Sequence, residues 1–291
     1  MSIIEAIIMG IVQGITEFLP VSSSGHLAIF RGILNLDLDE GILFEVMLHF
    51  GTLLAIFAVY YDDIFKLIIE GLAIVKDFII NVVRAGNNLF AKNKKEYIHI
   101  IHTPYRRFVM LVIVASIPTG LAGLYLKRYI DGFFSNLLIV GIALLVTGSL
   151  LYVTDKIEIG TKEEEKTTYK NAFVLGVFQS LAIIPGISRS GSTIVGGLLN
   201  GLSKSFAIKF SFIMSIPPVL GATLLELKDV RGATYSNMFS APYLIGTLIS
   251  AVVGFICIKT LIVLLRNRKL HYFSYYCFVI GIITIINSFR I

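Results

Sequence analysis

Six windows of this chain, 41–60, 107–126, 135–154, 205–226, 240–265 and 272–290, each reach or approach the ~20 apolar residues that a helix needs to cross ~30 Å of hydrocarbon. Lipid offers no partner to a backbone amide, so a segment in it must satisfy its own hydrogen bonds as a helix or close into a barrel. None of the windows shows the two-residue alternation of barrel strands. The expected fold class is therefore an all-α integral membrane protein with six transmembrane helices. Composition agrees: 56% hydrophobic residues, 15% charged residues and a mean hydropathy of +0.83 exceed what a soluble domain can cover with polar surface. Glu5 is the sole early charge and no Lys or Arg precedes Arg31, so a cleaved signal peptide is not expected.

The net charge of +6 does not point to nucleic acid, because the basic residues fall in loops between apolar spans, where membrane lipids are the natural partners. Lys66, Lys76, Arg84, Lys92, Lys94, Lys95, Arg106 and Arg107 cluster in or beside the 61–106 loop. Lys156, Lys162, Lys166 and Lys170 follow in 155–170, and Arg266, Arg268 and Lys269 in 266–269. The rule that Lys and Arg stay inside makes these loops cytoplasmic, while 127–134 and 227–239, holding Lys127, Arg128, Lys228 and Arg231, face out. Within 62–84, Asp62, Asp63, Glu70 and Asp77 interrupt the apolar pattern, so this stretch reads as an amphipathic cytoplasmic helix rather than a crossing. Asp155 reads as a headgroup-level charge. Cys257 and Cys277 show no ligand or disulfide spacing and read as small core residues; no metal-ligating set is expected.

A shift of 166 residues lays GIVQGITEFLPVSSSG (10–25) on GVFQSLAIIPGISRSG (176–191), matching Gly10 with Gly176, Gln13 with Gln179, Ser22 with Ser188, Ser24 with Ser190 and Gly25 with Gly191. Each copy is an apolar helix, a Pro-Ser-Gly break and a second apolar helix too short to cross. Both read as re-entrant helix hairpins, over 2–34 and 170–202, in two repeat units, 1–154 and 170–291. Three spans separate the hairpins, so the second enters from the opposite side, and the topology is an inverted repeat with the broken turns meeting near the midplane.

Irregular backbone at that depth must line protein or a wet cavity. The tips, Pro20 to His26 and Pro185 to Thr193, offer helix N-termini, hydroxyls and glycines, which suit an anion. Arg189 adds a planar donor fork matched to phosphate oxygens, and an intramembrane guanidinium persists where it has a partner, whether phosphate or Glu17. Gln13 and Glu17 are four apart and share a helix face pointed at the same turn. Glu17, Ser22 to Ser24 and His26 together supply the parts of a base-activated hydroxyl. The serines could instead only cap the broken helices. Gln13 and Gln179 read as ties between the hairpins. Glu45 and His49, one turn apart, either support the site or bond to each other.

QGITEFLPVSSSGHL and PGISRSGSTI resemble the two signatures of the undecaprenyl pyrophosphate phosphatases, also called bacitracin resistance proteins, and FEVMLHFGTLLA (44–55) resembles a third segment of that family. The resemblance runs over nearly the whole chain. It implies hydrolysis of a C55 polyprenyl diphosphate to the monophosphate, recycling the lipid carrier of cell-wall precursors in the bacterial plasma membrane and giving bacitracin resistance. By motif match it implies Glu17, Ser23, His26 and Arg189 as catalytic residues. Gln13, Ser22, Ser24, Gly25, Ser188, Ser190, Gly191 and Thr193 then contact the substrate. Two positions depart from the family pattern: Gln13 stands where many members have Glu, and Tyr276-Cys277 where members often show Tyr-Arg.

The expected mechanism has Ser23 or a water attack the terminal phosphorus while His26, oriented by Glu17, takes the proton. Phosphate then leaves to the outer face. A bridging divalent ion, Mg or Ca, with Glu17 as an oxygen ligand, is compatible with this but not required, and a homodimer is an admitted assembly. The rival class is a transporter or flippase, because inverted repeats with broken helices are also a transporter plan.

Overall fold

A computed structural model of the chain describes residues 1–34, 38–90, 94–134, 136–154, 156–157, 160–229, 239–266 and 270–289. Lys92, Asp155, Arg231, Arg268 and Lys269, used in the charge reading above, lie outside them. Among the described residues the fold is helical, in twelve helices.

Local sequence explains where the first helices start and stop. Helix α1 (Ile3–Phe18) opens with a capping box in which Ser2 and Glu5 satisfy each other's amides. It stops at Leu19, held extended before Pro20, because the proline ring disfavours helical backbone at the preceding residue. Ser22 then takes a positive φ of 72°, a left-handed turn, and α2 (Ser23–Leu34) departs from it. The second copy repeats the plan. A capping box of Thr168 and Asn171 starts α7 (Tyr169–Leu181), Gly186 supplies the positive φ (98°), and Ser188 caps α8 (Arg189–Leu199).

Helix α3 (Leu38–Val59) meets α4 (Tyr61–Phe90) at a bend of 91°. The amphipathic segment expected over 62–84 is thus one 30-residue helix that turns away from the α3 axis. The rest are α5 (Pro104–Phe134), α6 (Leu137–Thr154), α9 (Lys204–Met214), α10 (Ile216–Asp229), α11 (Ala241–Arg266) and α12 (His271–Ser288). Pro104 opens α5 at the position where its missing N–H is no loss.

Four stretches are long and apolar enough to cross a membrane: Pro104–Leu126, Leu137–Thr154, Lys204–Leu225 and Ala241–Leu264. The bent pair Leu43–Val59 and Tyr61–Phe90 makes a fifth if counted as one. The protein is therefore a multi-pass membrane protein by its helices. The expected span over 205–226 is divided at Ser215 into α9 and α10, just before Pro217 and Pro218. The α12 helix, with His271 and Asn287 at its ends, falls outside the four.

Packing exchanges partners between the two halves: α1 lies against α11 and α7 against α5, while α6 pairs with α12. Glycines permit the closeness. A Cβ at Gly10 would stand 2.7 Å from the Gly246 carbonyl oxygen of α11, and one at Gly176 would stand 2.2 Å from the Ala115 oxygen of α5. Small residues let backbones approach in a medium where apolar burial gives no drive between helices. Beneath the tips, Phe18 meets Phe212 edge to face at 5.5 Å, part of a core that includes Phe108, Phe206 and Phe210.

Candidate active site

The two breaks interlock. Ser22 Oγ accepts the Gly25 amide at 3.2 Å and lies 3.2 Å from Ser24 Oγ. In the second copy Ser188 Oγ accepts the Gly191 amide at 3.1 Å and lies 3.3 Å from Ser190 Oγ. Each tip then reaches the other: the Gly186 amide donates to Ser24 Oγ at 3.4 Å, and Ser190 Oγ donates to the Leu19 carbonyl at 3.4 Å. The glycines make this contact possible, since a Cβ on Gly25 would come within 3.1 Å of Gly186 Cα and one on Gly191 within 3.3 Å of Pro20 Cβ. Thr147 of α6 braces the second tip, taking the Ser188 amide and donating to the Gly186 carbonyl.

Ser23 and Arg189 occupy matching positions in the two copies, and both reach one carboxylate. Ser23 Oγ donates to Glu17 Oε2 at 2.6 Å, and Arg189 Nη2 donates to Oε1 at 2.5 Å. Gln13 Nε2 adds a third donor to Oε2 at 3.1 Å, and His49 Nε2 stands 3.7 Å from it. Glu17 is buried, its side chain 7% exposed, so the guanidinium balances a charge that water does not. Arg189 Nη1 is buried and has no hydrogen-bond partner among the described residues.

His26 is buried beside this group but does not bond to Glu17. Its Nδ1 lies 2.7 Å from the Ser22 carbonyl, which can only accept, so Nδ1 carries the proton. Nε2 is 2.8 Å from the Tyr276 hydroxyl of α12, with the two rings parallel to within 6°. The expectation that Glu17 orients His26 is thus corrected: Glu17 is spent on Ser23 and Arg189, and Ser22 and Tyr276 hold the imidazole. Tyr276 was passed over by the sequence reading, which looked only at the Cys277 beside it. The motif pair Tyr-Arg was the available signal. Cys277 is buried with Sγ 3.9 Å from the Pro20 carbonyl, and Cys257 is half-buried.

Other expectations divide. Thr193 is fully buried, with Oγ1 2.5 Å from Ser211 Oγ of α9 and donating to the Arg189 carbonyl. The glutamines do not tie the hairpins together, for Gln13 serves Glu17 and Gln179 Nε2 donates to Thr119 of α5. The Glu45 carboxylate pairs with Arg31 rather than His49, whose Nδ1 donates to the Glu45 backbone carbonyl at 2.8 Å. That leaves His49 Nε2 turned to Glu17.

A carboxylate, a hydroxyl, an imidazole and a guanidinium thus converge on two interlocked helix breaks inside a membrane protein. The model of the family "Bacitracin resistance protein BacA" matches residues 6–283. The chain belongs to that family. Similar BacA-family proteins over nearly their full lengths include the undecaprenyl-diphosphatase of Alkaliphilus metalliredigens, 43% identical over 99% of both chains. That of Methanosphaera stadtmanae is 41% identical, again over 99% of both. Undecaprenyl-diphosphatase 4 of Bacillus thuringiensis is 37% identical, over 98% of this chain and 97% of its own.

Proposed function

We propose that this BacA-family protein is an undecaprenyl-diphosphatase, a membrane hydrolase that cleaves undecaprenyl diphosphate to undecaprenyl phosphate and phosphate. It thereby recycles the cell-wall lipid carrier and gives bacitracin resistance. One observation carries the reading: Ser23 and Arg189, from the two breaks, share the Glu17 carboxylate, and Arg189 keeps a buried, unpartnered Nη1. A phosphate oxygen is the natural acceptor for that donor.

Arg189 and the tip hydroxyls of Ser22, Ser24, Ser188 and Ser190 hold the terminal phosphate, where positioning and electrostatics supply most of the rate. Ser23 Oγ attacks the terminal phosphorus as its proton passes to Glu17 Oε2. The bond from that phosphorus to the bridging oxygen breaks, and prenyl phosphate leaves. Water then attacks the phosphoserine, giving its proton to His26 Nε2; the bond from phosphorus to Ser23 Oγ breaks as Glu17 returns the proton to Oγ, and His26 passes its proton to the departing phosphate.

Glu17 is already engaged by three donors, and no group of three or more His, Cys, Asp or Glu gathers among the described residues. A divalent ion would therefore be held mainly by the diphosphate oxygens, with Glu17 as its one carboxylate ligand here, and no step of this proposal runs through one. Assaying with and without chelator tests this.

The finer architecture belongs to the same proposal: hairpins 2–34 and 170–202 re-entrant from opposite leaflets, six spans, units 1–154 and 170–291 related by inversion, and a site open to the outer face. The matched caps at Ser22 and Ser188 and the exchanged pairs α1 with α11 and α7 with α5 support it. A homodimer also remains a proposal, decided by whether the detergent particle carries one or two chains of 32.2 kDa.

The test is phosphate release from purified protein in detergent. Release without a sealed compartment is expected, and Glu17→Ala, His26→Ala and Arg189→Ala should each abolish it while remaining monodisperse. A protein that binds the lipid diphosphate but frees no phosphate would make the transporter reading the better one.

A further inference from the structure

Helix α4 is amphipathic in the reverse of the usual sense. Asp63, Glu70, Asp77, Asn81, Arg84 and Asn88 recur on one face, and that face is turned to protein. Asp63 takes the Tyr105 hydroxyl at 2.9 Å and Lys209 at 2.6 Å. Arg106 donates to Glu70 at 2.8 Å and to Asp77 at 2.6 Å. Asn81 and Asn88 each bond both ways to backbone, of Ile98 and Lys95 respectively, and Arg84 donates to the Glu96 carbonyl. The opposite face holds Phe65, Ile68, Leu72, Val75, Ile79 and Val83, at the three- and four-residue spacing of one helical stripe, each 52 to 67% exposed.

We propose that α4 lies in the plane of the membrane boundary with this apolar stripe sunk among the acyl chains of the leaflet where α3 ends, and with its polar face clamped by the 94–106 segment. Three observations name lipid as the occupant. Tyr105, at the start of α5, bonds Asp63, at the start of α4, so α3 ends beside the start of α5, and the 91° bend turns α4, about 45 Å long at 1.5 Å per residue, off the α3 axis. The adjoining spans also expose apolar side chains, Leu54 on α3 and Ile113 on α5, as lipid-facing helices do. Lys76 is exposed beside Val75 and Ile79 of the stripe, and Lys66, Lys94 and Lys95 are exposed toward the polar side of the helix. A long ammonium side chain can snorkel from acyl chains to anionic headgroups. A second copy laid on the same stripe would instead have to bury Lys76 unpaired.

The chain contains no tryptophan, so single probes report without background. Leu72→Trp, Ile79→Trp and, as a control, Lys94→Trp are purified, checked for a monodisperse particle, and reconstituted in phosphatidylcholine–phosphatidylglycerol vesicles with brominated lipids. Both stripe probes should emit blue-shifted light. They should lose most of it to bromine placed high on the acyl chain, both to the same degree, and little to bromine at the chain end or to aqueous iodide. The control should respond to iodide. Quenching at different depths for the two probes would mean that α4 crosses the bilayer. Quenching by iodide would put the stripe in water, and indifference to bromine and iodide alike would put protein over it. Each of these outcomes overturns the proposal.

Discussion

Replacing Glu17 by Gln keeps the volume of the side chain and removes its charge, which isolates what the carboxylate does. Arg189 then retains a guanidinium whose side chain is 15% exposed, and the charge of its 2.5 Å partner is gone. Breaking a buried ion pair from one side costs about 3–5 kcal/mol. Because the pair joins the two breaks, across 172 residues of sequence, that loss should appear as a lower unfolding temperature of the whole detergent-solubilised protein. Arg189→Met alone should cost a similar amount by stranding the carboxylate. The double variant should recover part of both losses, giving a coupling energy of about 0.5–3 kcal/mol in a double-mutant cycle. In the same preparations Glu17→Gln should slow phosphate release by about 10²–10⁴-fold, the usual worth of a positioned base. Additive losses in the cycle would show that the pair does not join the tips. Turnover within about tenfold of the unmodified protein, less than about 1.4 kcal/mol of barrier, would remove Glu17 from the proton path.

Tyr276→Phe takes away the 2.8 Å partner of His26 Nε2 and should cost about 0.5–1.5 kcal/mol of stability, with slower phosphate release at unchanged KM. An unchanged rate would mean that the hydroxyl does not position the imidazole. Gly176→Ala drives a Cβ to 2.2 Å from the Ala115 oxygen and should lower the unfolding midpoint by the equivalent of about 1–3 kcal/mol. Gly120→Ala, on the same α5 helix but with nothing within 4 Å, should leave the midpoint unchanged or raise it; equal effects would refute the close α5–α7 approach. Thr193→Val should lose about 1 kcal/mol through its bonds to Ser211 and the Arg189 carbonyl while KM stays constant, and a tenfold rise in KM would return Thr193 to the substrate.

Much of the fold is legible without coordinates because its terms are local. Partition into hydrocarbon is read from any window of about 20 residues. The breaks at Pro20 and Gly186, the capping boxes at Ser2 and Thr168 and the caps at Ser22 and Ser188 are decided within one turn of chain. Even the composition of the site, an acid, serines, an imidazole and a guanidinium at two related breaks, follows from residue types that lipid excludes unless they are partnered. The span over 205–226 stands as one crossing-length stretch, Lys204–Leu225, although α9 gives way to α10 at Ser215, just before the prolines.

Which atom each side chain would choose was not legible. Glu17 had His26 nine residues away and Arg189 172 residues away as candidates, and took the distant one because the helix breaks dock tip to tip. His26 found Tyr276 from 250 residues off, and Thr193 found Ser211 on a neighbouring helix. The sequence by itself determined which segments enter lipid, where they break and what chemistry the breaks carry, since these depend on solvation and dihedral preference over a few residues. Tertiary structure alone decided the pairing, because a hydrogen bond is made or lost within a fraction of an ångström, and helix packing sets that distance.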